Sequence, residues 1–309
     1  MSGTKGGVLS LKHDFVFKGA LEDKDSTASL AAFIRALVPW LAVAEFESVA
    51  VANTRRRRLH RLGKECILDL CVRLKSGRMV NIEIQVVRLP GTTNRAQYYN
   101  ARMMDELIRK GQPYAEMPQV ITIFILDHVL FSGEGYYNDF RMMNRETHLE
   151  LPNSQVIVFI ELPKLPPSPD GSPAWNWLRL FKAETRVEME ELARSEPAMA
   201  DVVMKVVEMS ASERNRRRAF SREMWLRDQE AILHAANTSR ERGLAEGRAE
   251  GHAEGHAEGH AEGQLASQKE IARRMMAASI PLGKIADLTG LPESEIRRLS
   301  ATDHSGQNG

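Results

Sequence analysis

Cysteine is almost absent from the chain: two occur among 309 residues, Cys66 and Cys71. Their odd separation on an expected strand points them to opposite faces, so they are badly placed to bridge, and a reducing cytoplasm is the expected setting. Net charge is almost absent too. Forty-two basic residues balance 41 acidic ones for a formal +1, so any affinity for nucleic acid has to come from local patches. Long apolar runs are missing: the longest, Val120 to Leu126, is far short of a membrane span, and Met1 to Lys12 holds no apolar signal region. The expectation is a soluble, cytoplasmic protein without a membrane partner. No Ser/His/Asp arrangement, Cys-X-X-Cys pair or glycine-rich phosphate loop offers an enzyme class built on those motifs.

What the chain does contain is enough apolar sequence, 43%, for one core of about 150 to 200 residues with accessory segments. Between Ser26 and Leu41, Leu30, Phe33, Ile34, Leu37 and Leu41 recur at steps of three and four, the signature of an amphipathic helix. Cys66 to Leu74 and Met79 to Val87 alternate apolar and polar residues about Lys75-Ser76-Gly77-Arg78, which predicts a β-hairpin. Thr92 to Lys110 reads as a helix stopped by Gly111, and Gln119 to Leu126 and Gln155 to Leu162 read as buried strands. A polar and aromatic stretch, Phe131 to Glu150, suggests a hairpin arm, and the five prolines of Pro163 to Pro173 close the sheet region. Everything beyond Ala174 has a helical pattern.

The hairpin register follows from its apolar faces. Leu68, Leu70, Val72 and Leu74 on one strand, and Val80, Ile82, Ile84 and Val86 on the other, have to face one core, because a slip of one residue turns a whole set into water. A three-residue loop with Gly77 in the left-handed conformation then sets Leu74 opposite Arg78, and Asp69 opposite Glu83. Two carboxylates about 5 Å apart repel by roughly 3 kcal/mol at an effective dielectric of about 20. Either a cation compensates them, Mg²⁺ being suited to hard oxygen donors, or a raised pKa does, or they lie on a solvated face neutralised by Arg73 or Arg78.

Taken in order, several segments together resemble a known group. Ile67-Leu68-Asp69-Leu70, the Gly77 turn and Asn81-Ile82-Glu83-Ile84-Gln85 resemble the Rpn recombination-promoting nucleases and transposases of the PD-(D/E)XK superfamily. His13-Asp14-Phe15-Val16-Phe17-Lys18 is similar to that group's opening motif. Arg95-Ala96-Gln97-Tyr98-Tyr99 is similar to its following helix, and Ile160-Glu161-Leu162-Pro163-Lys164 to the end of its sheet.

The resemblance implies an α/β, restriction-endonuclease-like mixed sheet flanked by helices and followed by a helical C-terminal tail. It implies a metal-dependent DNA endonuclease acting in recombination or transposition, with Mg²⁺ or Mn²⁺ held by Asp69, Glu83 and the carbonyl of Ile84. Asp14 or Glu22 is the candidate further acid. Gln85 stands where the superfamily usually has lysine, so a dipolar amide replaces a positive charge and water orientation becomes its expected role. The same residues also suit a ribonuclease, or a non-catalytic DNA-binding or assembly module on the nuclease scaffold. Lys18, Arg55, Arg56, Arg57, Arg58 and Arg95 are candidate DNA contacts.

The expected domains are a nuclease-like domain over 1–183, a helical extension over 184–242, a repeat over 243–264 and a small helical segment over 265–300. The repeat, Gly-X-Ala-Glu, carries His252, His256 and His260. Steps of four overshoot a helical turn, so the histidines wind around the axis; a spacer helix or linker is expected rather than a zinc site. Residues 271–299 have the pattern of a small helix-turn-helix with Arg297 and Arg298 as candidate DNA contacts, or of a cap through which the tail forms a homo-oligomer.

Overall fold

A computed structural model describes residues 7–22, 26–52, 55–56, 66–67, 69–107 and 111–302. In chain order the elements begin with helices α1 (Asp14–Leu21) and α2 (Thr27–Leu37) and strands β1 (Ala50–Val51), β2 (Arg55–Arg56), β3 (Cys66–Ile67), β4 (Leu70–Arg73) and β5 (Met79–Gln85). Then come α3 (Thr92–Leu107), β6 (Val120–Leu126), β7 (Tyr137–Arg141), β8 (Val156–Glu161), α4 (Ala174–Lys182), α5 (Arg186–Ser195) and α6 (Ala200–Ala211). Helices α7 (Glu213–Ala277), α8 (Leu282–Thr289) and α9 (Glu293–Thr302) complete the chain. Contacts group the chain into two compact units, Met1–Leu233 and His234–Gly309.

The first unit is organised by a mixed six-stranded sheet in the order β1-β4-β5-β6-β8-β7. Strands β5, β6 and β8 run parallel at its centre, and helix α3 makes the crossover from β5 to β6. Central parallel strands are covered on both faces, which is why β6 and β8 are apolar apart from Thr122 and Glu161. One face, with Leu70, Val72, Val80, Ile82, Ile121, Ile123 and Val158, shares its core with Phe17 of α1, Phe33 of α2 and Phe181 of α4. The opposite face carries Cys71, Met79, Phe124 and Phe159 beneath Ala96, Tyr99 and Met103 of α3. This is the α/β, restriction-endonuclease-like arrangement of a mixed sheet flanked by helices.

Helix α2 buries Leu30, Phe33, Ile34 and Leu37, as its three-four spacing predicts. It stops before Leu41 because Pro39 disfavours the helical conformation at Val38, whose φ of −130° and ψ of 61° leave the helical region.

The hairpin pairs Leu70 with Ile82, Cys71 with Asn81 and Val72 with Val80. Gly77 has φ 87°, and its N–H donates to Leu74 O while Leu74 N–H donates to Arg78 O. The first hairpin strand departs from the expected continuous Cys66 to Leu74. Cys66 and Ile67 pair instead with Arg55 and Arg56 in a separate two-stranded ribbon, and the main sheet resumes at Leu70. Leu68, Arg57 and Arg58 lie outside the described residues.

In the second unit the glycine repeat lies on α7, with the rings of His256 and His260 stacked 6.5 Å apart. Helices α8 and α9 are joined through Gly290, whose φ of 72° ends α8, and enclose a small core of Ala272, Ile285, Leu291, Ile296 and Leu299. Arg297 is exposed and pairs with Glu293 at 3.6 Å. Among the described residues, no helix is long and apolar enough to cross a membrane.

Candidate active site

The polar residues of β5 all fall on the α3 side of the sheet, and all are buried: Asn81 is 0% exposed, Glu83 3% and Gln85 7%. A carboxylate this deep requires donors. Glu83 Oε1 accepts from Asn81 Nδ2 at 3.2 Å and from the backbone N–H of Asp69 at 3.1 Å. Asp69 reciprocates across the hairpin, its Oδ2 accepting from the backbone N–H of Ile84 at 2.9 Å. Continuing the ladder by one residue from Leu70 and Ile82 puts Asp69 opposite Glu83. Asp69 is already outside β4, and its side chain takes up the Ile84 donor in place of a backbone partner.

The remaining oxygen of each carboxylate faces a more distant cation. Asp69 Oδ1 is 3.8 Å from Lys18 Nζ on α1, and Glu83 Oε2 is 3.7 Å from Arg95 on α3. Arg73 and Arg78 play no such part: Arg73 is exposed beyond the pair, and Arg78 binds Glu45 and Gln119. Burial raises the pKa of Asp69, partly offset by the Ile84 N–H and Lys18. Burial, and then the adjacent Asp69, push Glu83 up to about 8, so near neutral pH the pair holds a proton that two ordinary carboxylates would release.

Gln85 is engaged differently. Its Nε2 donates to Val87 O at 3.0 Å and to Thr92 Oγ1 at 3.1 Å, tying the end of β5 to the first turn of α3. Arg95, one turn further along α3, lies over the Tyr99 ring at 4.8 Å, and its buried Nε has no hydrogen-bond partner among the described residues. Tyr99 is buried and Tyr98 exposed, so the tandem tyrosines divide between core and surface.

A cleft of about 240 Å³ lies at the carboxyl end of β5, where open α/β sheets commonly bind ligands; Glu83 is not among its lining residues. Asp14, Asp69, Gln85 and Arg95 line it. Glu22 does not; its pKa is raised, mainly by burial, with Lys18 opposing and Asp69 reinforcing the shift. Of the two candidate further acids, Asp14 is therefore the one in the cleft. Among the described residues, no three His, Cys, Asp or Glu side chains converge as an ion-binding group.

Two contributors escaped the sequence reading. Lys12 lines the cleft and pairs with Asp127 at 2.8 Å. The early part of α7 supplies a wall through Arg222, Trp225, Leu226 and Gln229. That wall is seated on α1: Ala219 is buried, Arg218 lies 4.3 Å over Phe15, and Glu223 is 3.4 Å from the buried His13. The spacing 222, 225, 226, 229 is one helical face and is visible in the sequence, but nothing local indicates what it faces.

A restriction-endonuclease-like mixed sheet flanked by helices sets the class of protein. The profile of the PD-(D/E)XK nuclease family transposases matches residues 11–236, and the chain belongs to that family. Neither curated proteins nor solved structures yield a significant match. Nucleases of this superfamily generally use divalent metal ions. The donor chemistry fits one: Asp69 and Glu83 offer hard oxygens, and each has one oxygen held by N–H donors while the other faces Lys18 or Arg95 respectively.

Proposed function

We propose that the chain is a divalent-metal-dependent DNA endonuclease that hydrolyses phosphodiester bonds, in the service of recombination or transposition. The observation that carries this reading is the Asp69–Glu83 pair, the first half-buried and lining the cleft, the second buried, cross-linked through backbone N–H groups. Two carboxylates this near each other with one of them buried destabilise the fold, and a bound cation offsets that cost.

Asp69, Glu83 and the carbonyl of Ile84 would hold Mg²⁺ or Mn²⁺, which supplies Lewis acidity toward a phosphate oxygen and the attacking water when bound. The residues around it have separable tasks. Arg95 provides the positive charge that a lysine at position 85 would otherwise bring, and faces developing negative charge on the phosphate. Lys18 favours the ionised form of Asp69 against the effect of burial, and Asp14 adds a third carboxylate at the cleft wall. Gln85 acts as a positioning residue: its amide fixes the Val87–Thr92 loop from which α3, and so Arg95, departs.

The engagement of Gln85 in that loop also favours a second reading, a DNA-binding or assembly module on an inactive nuclease scaffold. Plasmid incubated with purified protein and Mg²⁺, beside Asp69→Ala and Glu83→Ala, separates the two. Nicking by the parent that both variants lose by a hundredfold or more supports the endonuclease. Absence of nicking by every form supports the scaffold, and nicking retained in both variants overturns this site. RNA of matched sequence in parallel tests the choice of DNA.

A further inference from the structure

The α7 wall of the cleft has a composition that hydrolysis at Asp69 and Glu83 does not require. Its inward stripe joins a guanidinium, an indole, an aliphatic side chain and an amide: Arg222, Trp225, Leu226 and Gln229. Arg222 lies 4.4 Å over the Trp225 ring, and Trp225 remains 48% exposed. An exposed indole costs hydration free energy, and this one is held in place by a cation instead of being packed away.

We propose that this stripe is a subsite for one unstacked nucleotide of a single-stranded DNA segment, with the base on Trp225 and the adjoining phosphates beside Arg222 and Lys12. Aromatic faces stack any base, and an arginine beside the ring serves the phosphate and strengthens the stack, the combination that binds single strands without sequence choice. Charge agrees on balance: Lys12, which also pairs with Asp127, Arg95 and Arg222 border the same cleft against Asp14 and Asp69. Size agrees as well. A space of about 240 Å³ is on the scale of one base with its sugar, and a base has to leave the duplex stack to lay its face on Trp225. The proposal rests on the nuclease reading for its substrate and adds to it a preference for unpaired DNA at the cleavage position.

The test uses the full chain in chelator, where binding is read without hydrolysis. The four tryptophans make it direct: Trp175 and Trp177 are buried, Trp40 is partly buried, and Trp225 is the most exposed. Oligo-dT is expected to quench tryptophan emission in the parent and not in Trp225→Phe, which keeps affinity for labelled oligo-dT within about threefold. Trp225→Ala should weaken binding roughly five- to a hundredfold, the range of one base stack. Blunt duplex should bind with little quenching, and oligo-U no better than oligo-dT.

Unchanged emission at saturating oligo-dT, equal affinity in Trp225→Ala, or equal quenching by duplex would each overturn the subsite. A preference for oligo-U would overturn its assignment to DNA. Trp225-dependent binding without nicking leaves the subsite standing while the endonuclease fails, and the reverse pattern removes only the subsite.

Discussion

Replacing Glu83 by glutamine should stabilise the metal-free protein at neutral pH, although it alters a buried residue. The amide oxygen of the variant still accepts from Asp69 N–H and Asn81, while the acid that has to stay protonated is gone. An ordinary glutamate titrates near 4.5 and Glu83 near 8. Between those values the folded chain binds more protons than the unfolded chain, so stability falls as pH rises, and Asp69, shifted in the same direction, adds to the slope. Each unit costs about 1.4 kcal/mol, so raising the pH from 4.5 to 7 removes on the order of 3 kcal/mol in chelator. Urea unfolding at pH 5, 6, 7 and 8 with EDTA should show that decline in the parent, and Glu83→Gln should flatten it and gain about 2 to 3 kcal/mol at pH 7. Parent stability that is level or rises across this window, or a variant weaker at pH 7, would refute the account of the pair.

Arg95→Ala should lower nicking by about ten- to a thousandfold, and Arg95→Lys should recover part of the loss, measured by kcat/KM on plasmid. Gln85→Ala should cost about 1 to 3 kcal/mol in urea unfolding, because Val87 O and Thr92 lose a buried partner; an unchanged midpoint would remove its positioning role. Gly77→Ala should cost about 1 to 2 kcal/mol, since alanine is strained at φ 87° even though the nearest atom, Pro118 Cβ, is 4.0 Å from the new methyl position.

Elements whose own sequence carries a period were legible. Helix α2, the hairpin register and strands β6 and β8 follow from steps of three and four, from alternation and from β-branched runs. The break near Asp69 was hidden, because Leu68 and Leu70 continue the alternation through a residue whose side chain takes over a backbone partner's role. In β5 the polar residues at 81, 83 and 85 read equally well as a solvated face. Only α3, laid across them by the crossover to β6, buries them. The choice of Lys18 and Arg95 over Arg73 and Arg78 is likewise tertiary, since the nearer arginines project elsewhere. Trp225 lies more than 140 residues from Glu83, and no local pattern links a helical face to a cleft it reaches through α1.

The most direct test of the carboxylate pair is a Mn²⁺ titration of the protein at pH 7.5, with free ion read by electron paramagnetic resonance. One ion should bind per chain, and both Asp69→Asn and Glu83→Gln should weaken it at least tenfold. A parent chain that leaves all the Mn²⁺ free at millimolar concentration, or variants that hold it as tightly as the parent, would contradict the assignment.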